Sequence, residues 1–199
     1  MPHLPFLFAL LLAAPAAALA TSPLQAAIDA APAGATIHVP PGVHAGPLRV
    51  DKPLTLVGAD GAVVDGGGHG DVLRIGADDV AISHLTLRAS GSDLTASNAG
   101  IFVERDRHRV HLEHNRIEDS LFGVYLDGAR DITVRDNIVR GKRALRVADR
   151  GDGIHLWNDS GCVIEGNDIA DTRDGIYVYV SSGNLIARNL MTGVRYGVH

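Results

Sequence analysis

GDGIHLWNDSGCVIEGNDIADTRDGIYVYVSSGNLIARNL (151–190) contains one phrase twice, and the two copies start 22 residues apart. Each copy opens on Asp-Gly-Ile, continues as an alternating apolar and polar run, and closes on an asparagine after a second such run. A repeat of this length, built from short alternating segments, predicts stacked coils of β-strands and turns instead of helices.

The same phrase recurs through the second half of the 199-residue chain. A glycine opens each copy: Gly100, Gly123, Gly153, Gly175 and Gly197. An asparagine ends the first four: Asn115, Asn137, Asn167 and Asn189. We interpret both sets as structural, with each asparagine turned inward so that its amide bonds to the next coil. The sequence therefore predicts an all-β protein, a right-handed single-stranded parallel β-helix.

The predicted organisation also includes the two ends of the chain and two insertions between coils. Residues 1–20 are apolar and end in Ala-Leu-Ala, which is typical of a cleaved export signal, and residues 21–199 form the predicted β-helix domain. Thr21–Ala33 has the pattern of a short helix that caps the solenoid. Residues 89–98 and 141–152 are predicted excursions between coils. The last phrase opens a coil without completing it, so we expect a β-helix that is incomplete at its C-terminus.

The amino-acid composition argues against two properties, nucleic-acid binding and stabilisation by disulfides. The net charge is −5 and no basic cluster is present, which argues against nucleic acid as a partner. The single cysteine, Cys162, occupies an apolar position of the repeat and excludes an intrachain disulfide. Stability must therefore come from the strand ladders and the core.

Aromatic and histidine side chains fall on the predicted outward face of the strand that follows each glycine. Because equivalent positions stack at about 4.8 Å on successive coils, these side chains should form parallel rows. The rows are either a stabilising ladder or a recognition surface for a partner protein or sugar rings. The candidate binding-surface residues are Phe102, Tyr125, His155, Trp157, Tyr177, Tyr179 and His199.

Two aspartates precede their glycines in consecutive coils, Asp152 and Asp174. Such a pair would bring two carboxylates together and raise the pKa of one of them, as in glycosidases. With Tyr177 as a base, the same surface would suit a polysaccharide lyase. Aspartate before glycine is also a common turn residue, and that structural alternative is the one we favour.

Ten histidines raise the question of a metal site. His111 and His114 are the candidates, but strand alternation places them on different faces. A soft copper site also needs methionine, cysteine and histidine together, and the sequence shows no such cluster. No built-in cofactor is predicted.

GDGIHLWN (151–158), RDGIYVYVSSGN (173–184) and RYGVH (195–199), in this order on a predicted exported β-helix, resemble the NosD family of nitrous oxide reductase maturation proteins. The resemblance implies a non-enzymatic periplasmic protein that docks with a membrane ABC transporter and a copper chaperone lipoprotein. Its downstream target would be nitrous oxide reductase, and copper would be bound or handed on. The alternative is a polysaccharide-binding or -modifying β-helix: a lyase, an epimerase or a glycosidase.

Overall fold

The computed structural model describes residues 22–199, and in it the chain winds as successive coils of three short strands. Strands that are equivalent in neighbouring coils pair in parallel, so the coils build three parallel sheets along one axis. The predicted parallel β-helix is thus confirmed. The predicted export signal at residues 1–20 lies outside the described residues.

The three sheets contain every third strand, and one helix precedes them. The helix is α1 (Pro23–Ala30). The first sheet contains β1 (Ala35–Val39), β4 (Leu54–Gly58), β7 (Ala81–Ser83), β10 (His111–Glu113), β13 (Thr133–Arg135), β16 (Val163–Glu165) and β19 (Leu185–Ala187). The second contains β2 (Gly42–Ala45), β5 (Ala62–Asp65), β8 (Thr86–Arg88), β11 (Arg116–Ser120), β14 (Ile138–Gly141), β17 (Asp168–Ala170) and β20 (Leu190–Thr192). The third contains β3 (Leu48–Val50), β6 (Leu73–Ile75), β9 (Ala99–Val103), β12 (Phe122–Asp127), β15 (Ile154–Trp157) and β18 (Ile176–Tyr179).

The helix closes one end of the solenoid, as the sequence indicates. Ser22 caps it by accepting a hydrogen bond from the backbone N–H of Gln25, and Leu24 and Ile28 are buried against the first coil. It is shorter than predicted, because the chain leaves the helix before Pro32. The strand Gly42–Ala45 was not predicted, since two prolines precede it and its side chains are mostly exposed.

The interior is a single apolar column to which all three sheets contribute. Ile101, Val124, Ile154 and Ile176 lie one above the other on the inner face of the third sheet, all fully buried. Cys162 is a free, buried thiol in this column, as the sequence predicts. Since each coil covers the apolar face of the next, the burial extends from coil to coil up to the last described one, where Val178, Ile186 and Met191 are partly buried.

The asparagines form a continuous hydrogen-bonded ladder at the turn between the first and second sheets. The side chain of Asn137 accepts from the backbone N–H of Asn115 at 2.9 Å and donates to Oδ1 of Asn167 at 3.0 Å. Its amide also donates to the carbonyl of Leu112 at 2.8 Å. The ladder begins at the N–H of Leu85, where the sequence has leucine in place of asparagine. These buried turn groups are therefore satisfied by side chains.

The repeated glycines lie where the second and third sheets approach each other. A Cβ at Gly153 would overlap Ile169 of the second sheet and lie 2.6 Å from the carbonyl oxygen of Gly175 in the next coil. Gly123 and Gly175 are equally confined. A close approach of backbone to side chain thus requires glycine at these three positions.

Candidate functional site

The outer face of the third sheet carries a stack of aromatic and imidazole rings. We call this stack the ring column, and it consists of Phe102, Tyr125, His155, Tyr177 and His199. Ring centres are 5.0 Å apart between Phe102 and Tyr125 and 4.5 Å between Tyr125 and His155, with nearly parallel planes. Tyr177 continues the stack at 4.8 Å from His155, and His199 ends it edge-on at 4.9 Å. In-register parallel pairing produces this arrangement directly.

A second, shorter stack lies two residues further along the same strands. Trp157 and Tyr179 stack with ring centres 4.3 Å apart. In the coil before Trp157, the equivalent position in the strand register is occupied by Asp127, so the stack does not continue there. Tyr179 is 43 % exposed and the following Val180 is 71 % exposed. We call Trp157, Tyr179 and Val180 the outer patch, because these three neighbouring apolar side chains are all at least partly exposed.

The ring column is less exposed than the sequence predicted. Phe102 and His155 are only 8 % and 6 % exposed, so the prediction that they belong to an exposed binding surface is wrong. Phe122 packs edge-on against both Tyr125 and His155, and Leu145 from the excursion at residues 141–152 packs on the same cluster. Burial raises the pKa of the Tyr125 hydroxyl, which a hydrogen bond with Ser97 from the other excursion partly offsets. Both excursions therefore cover one side of the column.

A buried network of charged side chains contacts the ring column through His155. Nδ1 of His155 lies 2.7 Å from Oδ2 of Asp152, and Arg173 of the next coil donates to the same carboxylate at 3.1 Å. Asp152 itself is fully buried. Nε2 of His155 is also buried and has no hydrogen-bond partner among residues 22–199.

A second aspartate one coil further on is also held by an arginine and a histidine, but there the histidine comes from the following coil. Asp174 is fully buried and accepts from Arg195 at 2.7 Å, and Nδ1 of His199 lies 2.9 Å from it. Burial alone disfavours the charged carboxylate, but the hydrogen bonds from Arg195 and His199 outweigh it, so the pKa of Asp174 is lowered. The expected rise from repulsion between the two aspartates is therefore wrong for Asp174, since Arg173 and Arg195 neutralise the pair.

The arginines of this network were not assigned as site residues from the sequence. A signal was present, because Arg173 and Arg195 each stand two residues before a repeat glycine. Each reaches back to the aspartate of the preceding coil, and that contact depends on the coil register.

Asp159 is a further residue that the sequence did not single out. Its carboxylate accepts from the backbone N–H groups of Ala129 at 2.5 Å and Trp157 at 2.7 Å, and the side chain is buried. Burial raises the pKa of Asp159 to about 7, against the lowering effect of these two hydrogen bonds. It fixes the turn directly after the strand that carries Trp157.

The predicted metal ligands do not come together. His111 points to solvent and lies 4.0 Å from Glu113, whereas the ring of His114 lies beside that of His84 in the preceding coil, with the two planes tilted. Within residues 22–199, no three His, Cys, Asp or Glu side chains are close enough to hold a metal ion together. No helix in this part of the chain is long and apolar enough to cross a membrane.

Comparisons with known proteins agree with this architecture. The family model described as "Right handed beta helix region" matches residues 71–199. Among solved structures, an alginate lyase from Paenibacillus sp. str. FPU-7 superposes with a TM-score of 0.72 at 21 % identity, over 84 % of this chain and 63 % of its own. At that identity the likeness shows the fold alone. The chain belongs to the right-handed β-helix family.

Relatives identified by sequence show which kind of β-helix protein the chain resembles. "Probable ABC transporter binding protein NosD" of Stutzerimonas stutzeri is 37 % identical over 132 residues, which are 66 % of this chain and 30 % of that protein. A protein of the same name from Pseudomonas aeruginosa (strain PAO1) is 36 % identical over 126 residues, 63 % of this chain and 29 % of that protein. The chain thus spans about 30 % of the length of these curated relatives. It is a NosD-like parallel β-helix protein.

Proposed function

We propose that the chain is the β-helix part of a periplasmic, non-enzymatic accessory protein that docks with an ABC transporter and a copper chaperone during the maturation of nitrous oxide reductase. The observation that carries the proposal is the 37 % identity over 132 residues to a relative named as an ABC transporter binding protein. Copper, in this proposal, is cargo that passes between the partners. Nitrous oxide reductase is the downstream target, and nucleic acid is not a partner.

The state of the two aspartates supports a role without catalysis. A glycosidase needs one carboxylic acid that reaches the substrate, and a second carboxylate beside it. Asp152 and Asp174 are both fully buried, and each is held by an arginine and a histidine. Tyr177, the base of the lyase alternative, is stacked against His155 in the ring column. These contacts hold the column in place and engage both aspartates in ion pairs.

The outer patch is the surface that we assign to docking. Trp157 and Tyr179 present large apolar area at a small cost in conformational entropy, which is why such residues dominate protein interfaces. The rigid strands β15 and β18 fix both rings, so the patch is organised before a partner arrives.

Deletion of the complete gene tests the cellular role. We expect nitrous oxide reductase purified from the deletion strain to lack copper, and the complete gene supplied on a plasmid to restore it. A normally metallated enzyme in the deletion strain would refute the maturation role.

Variants of the outer patch test the docking surface in the full-length protein. Trp157→Ala with Tyr179→Ala should reduce co-purification of the ABC transporter at least about tenfold, since central aromatic residues contribute about 2 kcal/mol or more to an interface. Val43→Ala is the matched control, because Val43 is 63 % exposed on the second sheet, away from the patch. Equal transporter recovery from the double variant and the control would rule out this patch.

A further inference from the structure

Two histidines occupy the same turn position on successive coils. His84 and His114 directly precede the position of the asparagine ladder, where the chain takes a left-handed conformation with φ of 58° and 56°. The strands before them, β7 and β10, pair in register, so the turns stack as well. The two imidazole centres are 5.3 Å apart and the ring planes are inclined by 34°.

The pair lines an open cavity of about 300 Å³ between the first and second sheets. Both histidines are exposed, and neither imidazole makes a hydrogen bond or an ion pair with any residue in the range 22–199. Asp60 lines the same cavity. Arg116, the cation of the cavity, is paired with Glu118 of its own strand, so its charge is neutralised locally. Asp60, Arg116 and Glu118 together carry a net negative charge.

The distance between the two imidazole centres is the one expected for two ligands of the same metal ion. Two imidazoles bound to one tetrahedral ion, each through a nitrogen at about 2.0–2.1 Å, have ring centres about 5 Å apart. Imidazole nitrogen suits Zn²⁺, Cu²⁺ and Ni²⁺, whereas Mg²⁺ and Ca²⁺ prefer oxygen. Both rings already lie at this separation on rigid turns, so little ordering is needed on binding.

We propose that His84 and His114 together bind one divalent cation of the imidazole-preferring class, with water in the remaining coordination positions. Within the described chain no third histidine, cysteine or carboxylate completes the site, so binding is weaker and more readily reversed than in a closed four-ligand site. The inference does not rest on the proposed function, because it uses only the stacked turns and their side chains.

Titration of the purified chain with ZnCl₂, followed by calorimetry and by the imidazole proton signals in NMR spectra, tests the site. His84→Asn and His114→Asn remove one ligand each, and asparagine tolerates the left-handed backbone of this turn. Because loss of even an outer-shell partner weakens metal binding by about 10–100-fold, each variant should lose at least about tenfold in affinity for Zn²⁺. The signals of both histidines should shift together at one equivalent.

His111→Asn is the matched control. His111 is exposed on strand β10, three residues before His114, and it faces Glu113. The control should bind Zn²⁺ as the parent does, and circular dichroism should show the same β-helix spectrum for all four proteins. Unchanged affinity in His84→Asn, or an equal loss in His111→Asn, would overturn the proposal.

Discussion

His155 and Asp152 form a contact that the solvent does not reach: Nδ1 of the imidazole lies 2.7 Å from Oδ2 of the carboxylate. The imidazole is at the same time stacked between Tyr125 and Tyr177. One side chain therefore connects the ring column to the ionic network below it. Removal of His155 should disturb both.

We expect His155→Ala to destabilise the protein by about 3–4 kcal/mol, because it leaves a cavity between two tyrosines and removes a partner from a buried carboxylate. Urea unfolding followed by tryptophan fluorescence measures the change. His199→Ala is the matched control: its side chain is 44 % exposed and Asp174 keeps Arg195, so the loss should be only about 0.5–1 kcal/mol. Equal losses in the two variants would contradict the role given to burial.

The asparagine ladder gives a second comparison between coils. Asn137→Ala leaves the N–H of Asn115 without a partner inside the protein and removes one hydrogen bond to the carbonyl of Leu112, which should cost about 1–3 kcal/mol. Asn189→Ala, at the same position of the last coil, should cost less, because this half-buried turn admits water. Thermal unfolding of both variants checks the order, and a greater loss for Asn189→Ala would show that the ladder does not carry the stability.

The repeat glycines differ in how much room they have. Gly153→Ala places a methyl group 2.6 Å from the carbonyl oxygen of Gly175 and into Ile169, so we expect a loss of about 2–3 kcal/mol. At Gly197 the nearest atoms are Cε and Sδ of Met191, at 3.8 Å and 3.9 Å. In the 199-residue chain, Gly197→Ala should therefore change stability by less than about 0.5 kcal/mol. Soluble yield and melting temperature test the pair, and comparable losses would refute the steric explanation.

Asp159 should make stability depend on pH near neutrality. Burial raises its pKa to about 7 in the folded protein, whereas an unfolded aspartate titrates at about 3.9. Between these values the folded state holds a proton that the unfolded state has released, so stability falls as pH rises through this window. Asp159→Asn removes the titration. The urea midpoint of the parent should drop more between about pH 5 and about pH 8 than that of the variant, and parallel pH profiles would contradict the assignment.

The fold was predictable because each of the first four repeat glycines is followed by its asparagine after 14 or 15 residues. In-register coils then place Tyr125, His155 and Tyr177 above one another, and this stacking follows from the sequence without further information. Burial was not predictable in the same way. Whether Phe102 and His155 face solvent depends on where the excursions at residues 89–98 and 141–152 fold, and their irregular sequences have no periodicity that gives a direction.

Side-chain contacts between neighbouring coils were the second feature that the sequence did not predict. The sequence-based prediction grouped His114 with His111, three residues before it. In the structure, the ring of His114 instead lies beside that of His84, 30 residues earlier. That interval is one coil with its excursion, so the pairing becomes visible only after the excursion is subtracted. The contact from Arg195 back to Asp174 spans one coil without an excursion, and it becomes visible only once the register of neighbouring coils is known.

The two excursions leave the solenoid at the same corner, between the second and third sheets, and the strands on either side keep their pairing. This corner carries the two longest connections of the described coils, whereas the turn between the first and second sheets never exceeds three residues there. Loops added at this corner change what shields the rings, while the paired strands keep their register. The same corner is where a designer would graft a foreign segment.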